Sequence, residues 1–226
     1  MTAGKANLGG GPLAARAAEL VLAAAATSGA DPANTSSIEC AHLLAAIDAD
    51  DATIAAALIA GSLPRGSLDV KAITSNFGAE VLELVTGAYR AGRLESLQGK
   101  AQSSNPAAQV EMLRKMLLAL ADDVRVVLIK LAERVVLMRS LTRATEAERV
   151  AAGQLTRDVF APLANRLGVF PIKWELEDLS FRFLEPEVYK RIAGFLDGKR
   201  SEREEYIEAV IGELRGALSS LGIEAQ

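Results

Sequence analysis

The 226-residue sequence contains one histidine and one cysteine. Because His42 stands alone, sites that hold a metal ion through several imidazoles are excluded in their usual form. The single Cys40 excludes an intramolecular disulfide and suits a reducing compartment, so we expect a cytoplasmic protein. We expect the Cys40 side chain to behave as a small, buried apolar group.

Aromatic residues make up only 4% of the sequence, and no apolar run is long enough to span a membrane, since charged residues interrupt every stretch. The formal net charge is −4, with basic residues mostly interleaved with acidic ones. This pattern indicates no nucleic-acid-binding surface. Residues 1–11 are glycine-rich and are expected to form a flexible N-terminus rather than a signal peptide. We therefore expect neither nucleic acid nor membrane as a partner.

Half of the sequence is apolar, and alanine, leucine and valine dominate that half. Alanine and leucine favour helix, helical periodicity recurs throughout, and no alternating strand pattern is convincing. The predicted fold is all-α, a bundle of about ten helices. The predicted helices lie at 12–27, 36–47, 51–60, 69–76, 78–96, 109–120, 122–141, 145–167, 172–184, 186–197 and 201–221.

Local signals place several of the helix ends. Pro12 suits a first turn and Gly29 a stop, while Ser36 and Glu39 have the spacing of a capping box for the second helix. Residues 62–66 cannot continue the third helix because they include a proline. Residues 98–108 are the most loop-like in the chain. Pro162 is expected to kink the helix at 145–167, and the helix at 122–141 is apolar on most faces, which predicts a central position.

Three stretches, at 77–90, 124–141 and 160–192, resemble the long RelA/SpoT enzymes, which make and break the alarmone (p)ppGpp. The most specific of them is APLANRLG (161–168) followed by KWELED (173–178). The resemblance covers nearly all of the chain after its first thirty residues. It implies an HD-type hydrolase-like domain at 12–167 and a helical link at 168–226 that leads towards a synthetase domain absent from this chain.

In hydrolytically competent RelA/SpoT members, a His-Pro pair, a His-Asp pair and a later Asp hold a divalent ion, often Mn²⁺. A nearby Glu-Asp pair acts on the attacking water. The ion lowers the pKa of the bound water and clamps the phosphate.

The metal positions of this chain depart from that pattern. The His-Pro pair falls on Ser36 and Ser37, whose hydroxyls are not normal substitutes for imidazole. The His-Asp pair falls on Ala60 and Gly61, which offer no side-chain ligand. The later Asp is Glu133, which alone among these positions can still ligate a metal ion.

The base and nucleotide positions depart as well. The Glu-Asp pair falls on Pro64 and Arg65, so an acidic couple is replaced by a helix breaker and a cation. The Asn and Thr expected on the nucleotide side fall on Leu137 and Ser140, and the basic residue expected before the first histidine falls near residues 27–28.

Other carboxylates and the histidine have simpler interpretations. One carboxylate cannot hold a catalytic ion by itself, so Glu133 is better explained by an ion pair with Lys130 or Arg134. Asp48, Asp50 and Asp51 can be imagined as a replacement metal site, but their place at a helix junction favours capping. The remaining imidazole, that of His42, is expected to be packed or half-exposed.

Four cations, Arg65, Lys130, Arg134 and Arg139, can converge on a phosphate if the pocket is open. Clustered cations are a weak phosphate signal, and Arg134 and Arg139 also occur in the competent members' motif, which fits a structural role. The one tryptophan, Trp174, is expected to be a packing anchor in the link.

The favoured hypothesis is an inactive (p)ppGpp hydrolase-like domain that serves a RelA-type GTP pyrophosphokinase as a structural and regulatory module. It predicts no metal and no cofactor, a synthetase domain in cis as partner, and at most weak guanine-nucleotide binding. Two alternatives stay open: an active Mn²⁺-dependent (p)ppGpp pyrophosphohydrolase with an atypical carboxylate site, and a sensor that binds (p)ppGpp without cleaving it.

Overall fold

The computed structural model describes residues 11–28, 32–60, 70–98 and 123–220, and within them all regular structure is helical. This confirms the all-α prediction. A short 3-10 turn, Leu141–Arg143, follows the fifth helix, and a π turn, Thr156–Phe160, joins the sixth to the seventh. The nine described α-helices are α1 (Pro12–Ser28), α2 (Pro32–Ala45), α3 (Asp51–Ala60), α4 (Val70–Gln98), α5 (Val124–Ser140), α6 (Glu146–Leu155), α7 (Ala161–Arg166), α8 (Phe170–Leu184) and α9 (Pro186–Ser220).

The chain divides into two compact units, Met1–Leu184 and Glu185–Gln226. The first contains α1 to α8 and the second contains α9. The domain boundary at 167/168 that the sequence suggests stays a prediction. The helix predicted at 109–120 lies outside the described residues, as does nearly all of the loop predicted at 98–108. None of the described helices is long and apolar enough to cross a membrane.

Helix α3 is short and lies at the centre of the N-terminal half of the first unit. Every residue from Ala52 to Ala60 is buried, and α1, α2 and α4 all pack on it. Alanine accounts for most of the buried positions, and small side chains allow helix axes to approach closely. The helix is therefore enclosed on all sides although it has only ten residues.

Helix α5 lies between two apolar clusters, as its apolar faces predict. Val126, Ile129 and Ala132 belong to the cluster built with α1 to α4. Leu131 and Val135 belong to the cluster built with the π turn, α7 and α8. Two apolar positions of α5 depart from the prediction, since they are exposed: Val124 by 52% and Leu137 by 44%.

Several predicted boundaries are confirmed. Helix α1 begins at Pro12 and ends at Ser28, just before Gly29. The break predicted between 76 and 78 occurs at Gly78, where φ is +86°, a region that L side chains rarely adopt. Near Pro162 the helix widens into the π turn, and the Ala161 amide donates to Thr156 O. Because proline has no N–H and its ring crowds the carbonyl four residues earlier, the regular α-helical bonding cannot continue there.

Two predicted boundaries are wrong. Helix α2 begins at Pro32 rather than at Ser36, since a proline fits the first turn, where no N–H is needed. Ser36 therefore lies inside α2 and does not cap it. The helices predicted at 186–197 and 201–221 form the single helix α9. The glycine between the two predicted helices does not end α9. A glycine inside a helix costs only about 1 kcal/mol, and neighbouring helix-favouring residues can offset that cost.

Candidate functional site

Five of the predicted site positions come together where α2 crosses α5. One cavity of about 280 Å³ is lined by Ser36 and Ser37 on α2 and by Glu133, Leu137 and Ser140 on α5. Residues three, four or seven apart share a helix face, which explains why these positions meet. We call this space the α2–α5 cavity; its lining residues are Ser36, Ser37, Cys40, Ala57, Glu133, Val136, Leu137 and Ser140.

The other predicted metal and base positions are not among the described residues that line this cavity. Ala60 is buried near the end of α3, 7% exposed, and offers only a methyl group. Gly61, Pro64 and Arg65 lie outside the described residues. Ser140, predicted on the nucleotide side, does line the cavity, and its hydroxyl donates to Leu137 O at 2.7 Å.

Glu133, the one carboxylate among the described lining residues, is already paired. Lys130 Nζ donates to Glu133 Oε2 at 2.6 Å, which confirms the ion-pair interpretation of Glu133. Lys130 is only 7% exposed, so this ammonium has been taken largely out of water.

Cys40 is buried, as predicted, and also faces the α2–α5 cavity. Burial raises the pKa of its thiol far above the ordinary range, and the charge of Glu133 raises it further. The nearby charges of Lys130 and Arg139 act in the opposite direction but are outweighed. The thiol is therefore neutral at physiological pH, and the thiolate that ligates metals or attacks electrophiles is not formed.

These donors do not fit a catalytic Mn²⁺ or Mg²⁺ ion. Such ions require several oxygen or imidazole ligands, whereas the described residues of this wall present neutral serine hydroxyls, a protonated thiol and one carboxylate paired with Lys130. Among the described residues, no group of three His, Cys, Asp or Glu side chains is arranged to hold a metal ion.

Arg134 is directed into the fold and away from the α2–α5 cavity. Its Nε donates to Thr156 Oγ1 at 2.8 Å, and its Nη2 donates to Ala152 O at 2.7 Å. The guanidinium lies 4.7 Å from the centre of the Phe160 ring. Arg134 thus fastens α5 to the π turn, and the convergence with Lys130 and Arg139 on a phosphate that the sequence left open is wrong for this residue.

Arg139 lies in the last turn of α5, with a side chain 42% exposed. Its Nε donates to Glu175 Oε1 at 2.5 Å, and its Nη1 lies 3.9 Å from Glu39 Oε2. Arg139 therefore joins α5 to α8 and α2.

The aspartates at the α2–α3 junction act as caps at two of the three positions. Asp50 Oδ1 accepts from the Thr53 amide at 2.8 Å and caps α3. Asp51 caps a different helix, since its carboxylate accepts from the Leu13 amide at 2.9 Å and the Ala14 amide at 2.8 Å. Asp48 instead has a left-handed backbone, with φ +56°.

The one histidine and the one tryptophan of the sequence both lie at the surface. His42, in the last turn of α2, is exposed and does not line the α2–α5 cavity. Trp174 on α8 is 63% exposed and contacts Phe170, with ring centres 6.2 Å apart. The prediction of Trp174 as a packing anchor is wrong within this chain, because neighbouring apolar side chains do not enclose it.

Sequence reasoning missed Cys40, Ala57 and Val136 as parts of the cavity wall. Cys40 lies four residues after Ser36, and Val136 lies three after Glu133, so helical spacing from the predicted positions points to both. Ala57 comes from α3, and only the packing of α3 between α2 and its other neighbours brings it there.

A second cavity, of about 500 Å³, lies between α4 and the start of α5. Arg125 lines this cavity and forms two ion pairs there. Its Nη1 lies 2.6 Å from Glu80 Oε1, and its Nη2 lies 2.6 Å from Asp123 Oδ2. Hydrogen bonds from Arg125 lower the pKa of the Asp123 carboxyl. These groups satisfy one another and tie the start of α5 to α4.

Comparison with known proteins identifies the family to which this fold belongs. The model of the HD domain matches residues 14–170, more than half of the chain. The chain belongs to the HD-domain family. The RelA/SpoT resemblance of its motifs is confirmed by its relatives, described next.

Three relatives show the extent of the similarity. The GTP pyrophosphokinase of Escherichia coli K12 is 38% identical over 189 residues, which is 84% of this chain and 25% of the relative. The GTP pyrophosphokinase of Myxococcus xanthus is 36% identical over 189 residues, again 84% and 25%. A probable guanosine-3′,5′-bis(diphosphate) 3′-pyrophosphohydrolase of Synechocystis is 39% identical over 184 residues, 81% and 23%. This HD-domain chain thus spans about a quarter of the length of these relatives.

Proposed function

We propose that this chain is a hydrolase-like HD domain without hydrolytic activity, and that it serves a RelA-type GTP pyrophosphokinase as a structural and regulatory module in the stringent response. One observation carries the proposal. The α2–α5 cavity lies where the family's metal ligands are expected, yet the described residues of its wall contribute hydroxyls, a neutral thiol, apolar side chains and a carboxylate bound to Lys130.

Hydrolysis of a phosphate ester by an HD-type site depends on a metal ion that activates water. The described wall offers no imidazole, and its one carboxylate, Glu133, is already neutralised at 2.6 Å. A water in this cavity would keep the pKa of bulk water, and no described neighbour would act as an effective base. The described scaffold around the cavity is nevertheless retained, with α5 lying between two apolar clusters.

The retained scaffold supports a role through contact with another domain. Two of the three relatives described above are GTP pyrophosphokinases, and each is about four times as long as the matched segment. We propose that this domain packs against a synthetase domain and biases its activity, a coupling of the kind that links distinct sites in one protein.

The alternative of a (p)ppGpp sensor receives less support. A nucleotide carrying two diphosphates needs several cations on the wall. Lys130 is paired with Glu133, Arg134 is fixed to Thr156 and Ala152, and Arg139 is paired with Glu175. None of these described cations lines the α2–α5 cavity.

A turnover assay tests the loss of hydrolysis. The purified chain is incubated with ppGpp and Mn²⁺, pyrophosphate release is followed, and bound metal is measured by elemental analysis. The Synechocystis relative provides the positive control. We expect neither turnover nor stoichiometric metal; metal at one equivalent together with pyrophosphate release would show an active, atypical hydrolase.

Two further measurements test the other parts of the proposal. Calorimetric titration with ppGpp is expected to give no saturable heat, and saturable binding without cleavage would establish the sensor. The regulatory role predicts that the reading frame encodes a synthetase domain after Gln226. A stop codon at that point would contradict it.

A further inference from the structure

Helix α9 exposes a row of large apolar side chains. A single apolar side chain at a surface is ordinary, whereas a contiguous apolar surface marks a place where another molecule binds. Among the described residues, fifteen large apolar side chains are exposed, and seven of them lie on this one helix. These seven are Ile192, Phe195, Leu196, Tyr206, Ile207, Ile211 and Leu214, and their exposed fractions run from 41% to 70%.

The seven side chains share one broad face of α9. With 3.6 residues per helical turn, they fall within an arc of about 160° around the helix axis. The charged residues Lys190, Glu208 and Arg215 fall on the other side of the helix. An apolar face of this width is typical of a helix that packs on the core of a domain, whereas a coiled coil uses a narrower seam.

The second unit provides no core for this face within the described residues. The unit spans Glu185–Gln226, and α9 is the one helix that the structure describes in it. Most of the stability of a helix in a protein comes from the packing of its apolar face on other elements. The apolar face of α9 therefore calls for a partner from outside the described chain.

We propose that the synthetase domain of the same polypeptide covers the apolar face of α9, so that α9 packs as one of that domain's own helices. The inference deepens the proposed function, on which it rests, because it names the surface that joins the two domains. Only Glu185 separates α8 from α9 in the sequence. A domain that holds α9 is thus tied to the hydrolase-like unit with almost no flexible linker, as coupling between them requires.

Two other occupants fit this face less well. A second copy bound through a coiled coil needs apolar residues at steps of seven, and the series that passes through Ile192 and Tyr206 arrives at Glu213. An anionic lipid surface attracts helices whose polar side is basic, whereas Glu208 and Glu213 border this face. A domain in cis, in contrast, is supported by relatives about four times as long as the matched segment.

Cysteine labelling compares the two sides of α9. Leu196→Cys places a thiol on the apolar face, and Glu187→Cys, nine residues earlier, places one on the opposite side. Both positions are exposed in the 226-residue chain, so the two thiols should react with a maleimide at rates within about threefold of each other. The native Cys40 is buried and its thiol is neutral, so it should not react.

The same two variants are then labelled in the full-length protein, which carries the synthetase domain. Leu196→Cys should react at least about tenfold more slowly than in the 226-residue chain, because a covered side chain reacts only when its contact opens. Glu187→Cys should keep its rate within about threefold. Peptide mass spectrometry measures each rate at the substituted residue, so cysteines elsewhere do not contribute.

Three results would overturn the inference. An unchanged rate for Leu196→Cys in the full-length protein would show that the face stays uncovered, and would leave the proposed loss of hydrolysis standing. A slow rate in the 226-residue chain that rises on dilution would identify a second copy as the occupant. A reading frame without a synthetase domain would remove both the inference and the proposed regulatory role.

Thermal unfolding gives an independent measurement. Leu214 is 56% exposed, so Leu214→Ala should change the Tm of the 226-residue chain by about 1 °C or less. In the full-length protein it should lower Tm by about 3 °C or more, since the side chain is then part of a core. Arg215→Ala, on the charged side, is the matched control and should have little effect in either protein. Equal effects of Leu214→Ala in the two proteins would contradict the docking.

Discussion

The adjacent residues Glu133 and Arg134 lie on two very different sides of helix α5. Arg134 faces a dense region in which its guanidinium donates to Thr156 and Ala152 and lies over Phe160. Glu133 faces the α2–α5 cavity, a space of about 280 Å³ that nothing in the described chain fills. The Arg134 side is what holds the helices together. The Glu133 side is where the resemblance to RelA/SpoT enzymes predicts the metal site of the family.

This difference indicates that the two sides respond to separate requirements. A buried arginine with matched acceptors is needed for folding, whatever the domain does. A metal-binding wall is needed only for catalysis, and in the proposal made above its ligands have been replaced while the core-facing side of α5 stays packed. Substitutions on the two sides should therefore have very different effects on stability.

Among the substitutions of polar residues, the largest effect is expected for Arg134→Met. It removes two hydrogen bonds from a buried charged group and the contact with Phe160, and should lower the free energy of unfolding by about 3 kcal/mol. Urea unfolding followed by circular dichroism measures the change. Arg182→Met on the exposed surface of α8 is the control and should stay within about 0.5 kcal/mol. An Arg134 variant as stable as this control would remove the contrast between the two sides.

A smaller loss is expected for Thr156→Val, which keeps the side-chain shape but removes the hydroxyl. Arg134 Nε then loses its acceptor at 2.8 Å inside the fold, which should cost about 1–2 kcal/mol. Thr142 is a suitable control, since its hydroxyl donates to Arg139 O at an exposed site. If Thr156→Val and Thr142→Val unfold at the same urea concentration, the hydrogen bond between Arg134 and Thr156 does not contribute this free energy to stability.

On the cavity side, Leu137→Asn should change the free energy of unfolding by no more than about 0.5 kcal/mol, because the side chain is 44% exposed. Leu131→Ala, on the buried side of the same helix, should cost about 2–5 kcal/mol. The same urea measurement compares the two. A cost for Leu137→Asn near that of Leu131→Ala would mean that the cavity wall is part of the core.

The smallest effect concerns pH and the start of α6, the helix that carries Ala152. Hydrogen bonds from the Thr145 hydroxyl and amide lower the pKa of the Glu148 carboxyl. A lowered pKa means that this capping contribution is fully present above the ordinary glutamate pKa and is lost as pH falls through the folded value. Carbon-detected NMR titration should place the Glu148 midpoint below that of an ordinary glutamate, and Thr145→Val should move it back. An unchanged midpoint in Thr145→Val would disprove the capping box as its cause.

The parts of the fold that were predictable depend on signals carried by neighbouring residues. Pro12 begins α1, the break at Gly78 separates two helical runs, and Pro162 disturbs the helix near it. Each acts through its own backbone, so a local reading suffices. The same reading failed at Ser36, because an equally local signal one turn earlier, Pro32, starts the helix first.

The parts that were not predictable depend on residues distant in sequence. The residues near Arg134 in the sequence do not predict that its guanidinium contacts Phe160 and Thr156. These two residues come close to Arg134 only through the packing of the π turn. The residues near Trp174 in the sequence do not predict its exposure either, because that depends on whether another helix packs over the side chain. For the site, residue types and helical spacing placed Ser36, Glu133 and Leu137 on one wall, whereas Ala57 required knowledge of the tertiary packing.

The cap that Asp51 provides for α1 has a consequence for amide exchange. The first amides of a helix have no partner within the helix and usually exchange rapidly with water. Here the Leu13 and Ala14 amides are bound by a carboxylate of α3, and Gly11 passes so close that an added Cβ would lie 2.6 Å from Asp51 Oδ2. Exchange at these two positions therefore requires α1 to separate from α3, and their exchange rate measures how often the N-terminal helix detaches from the domain.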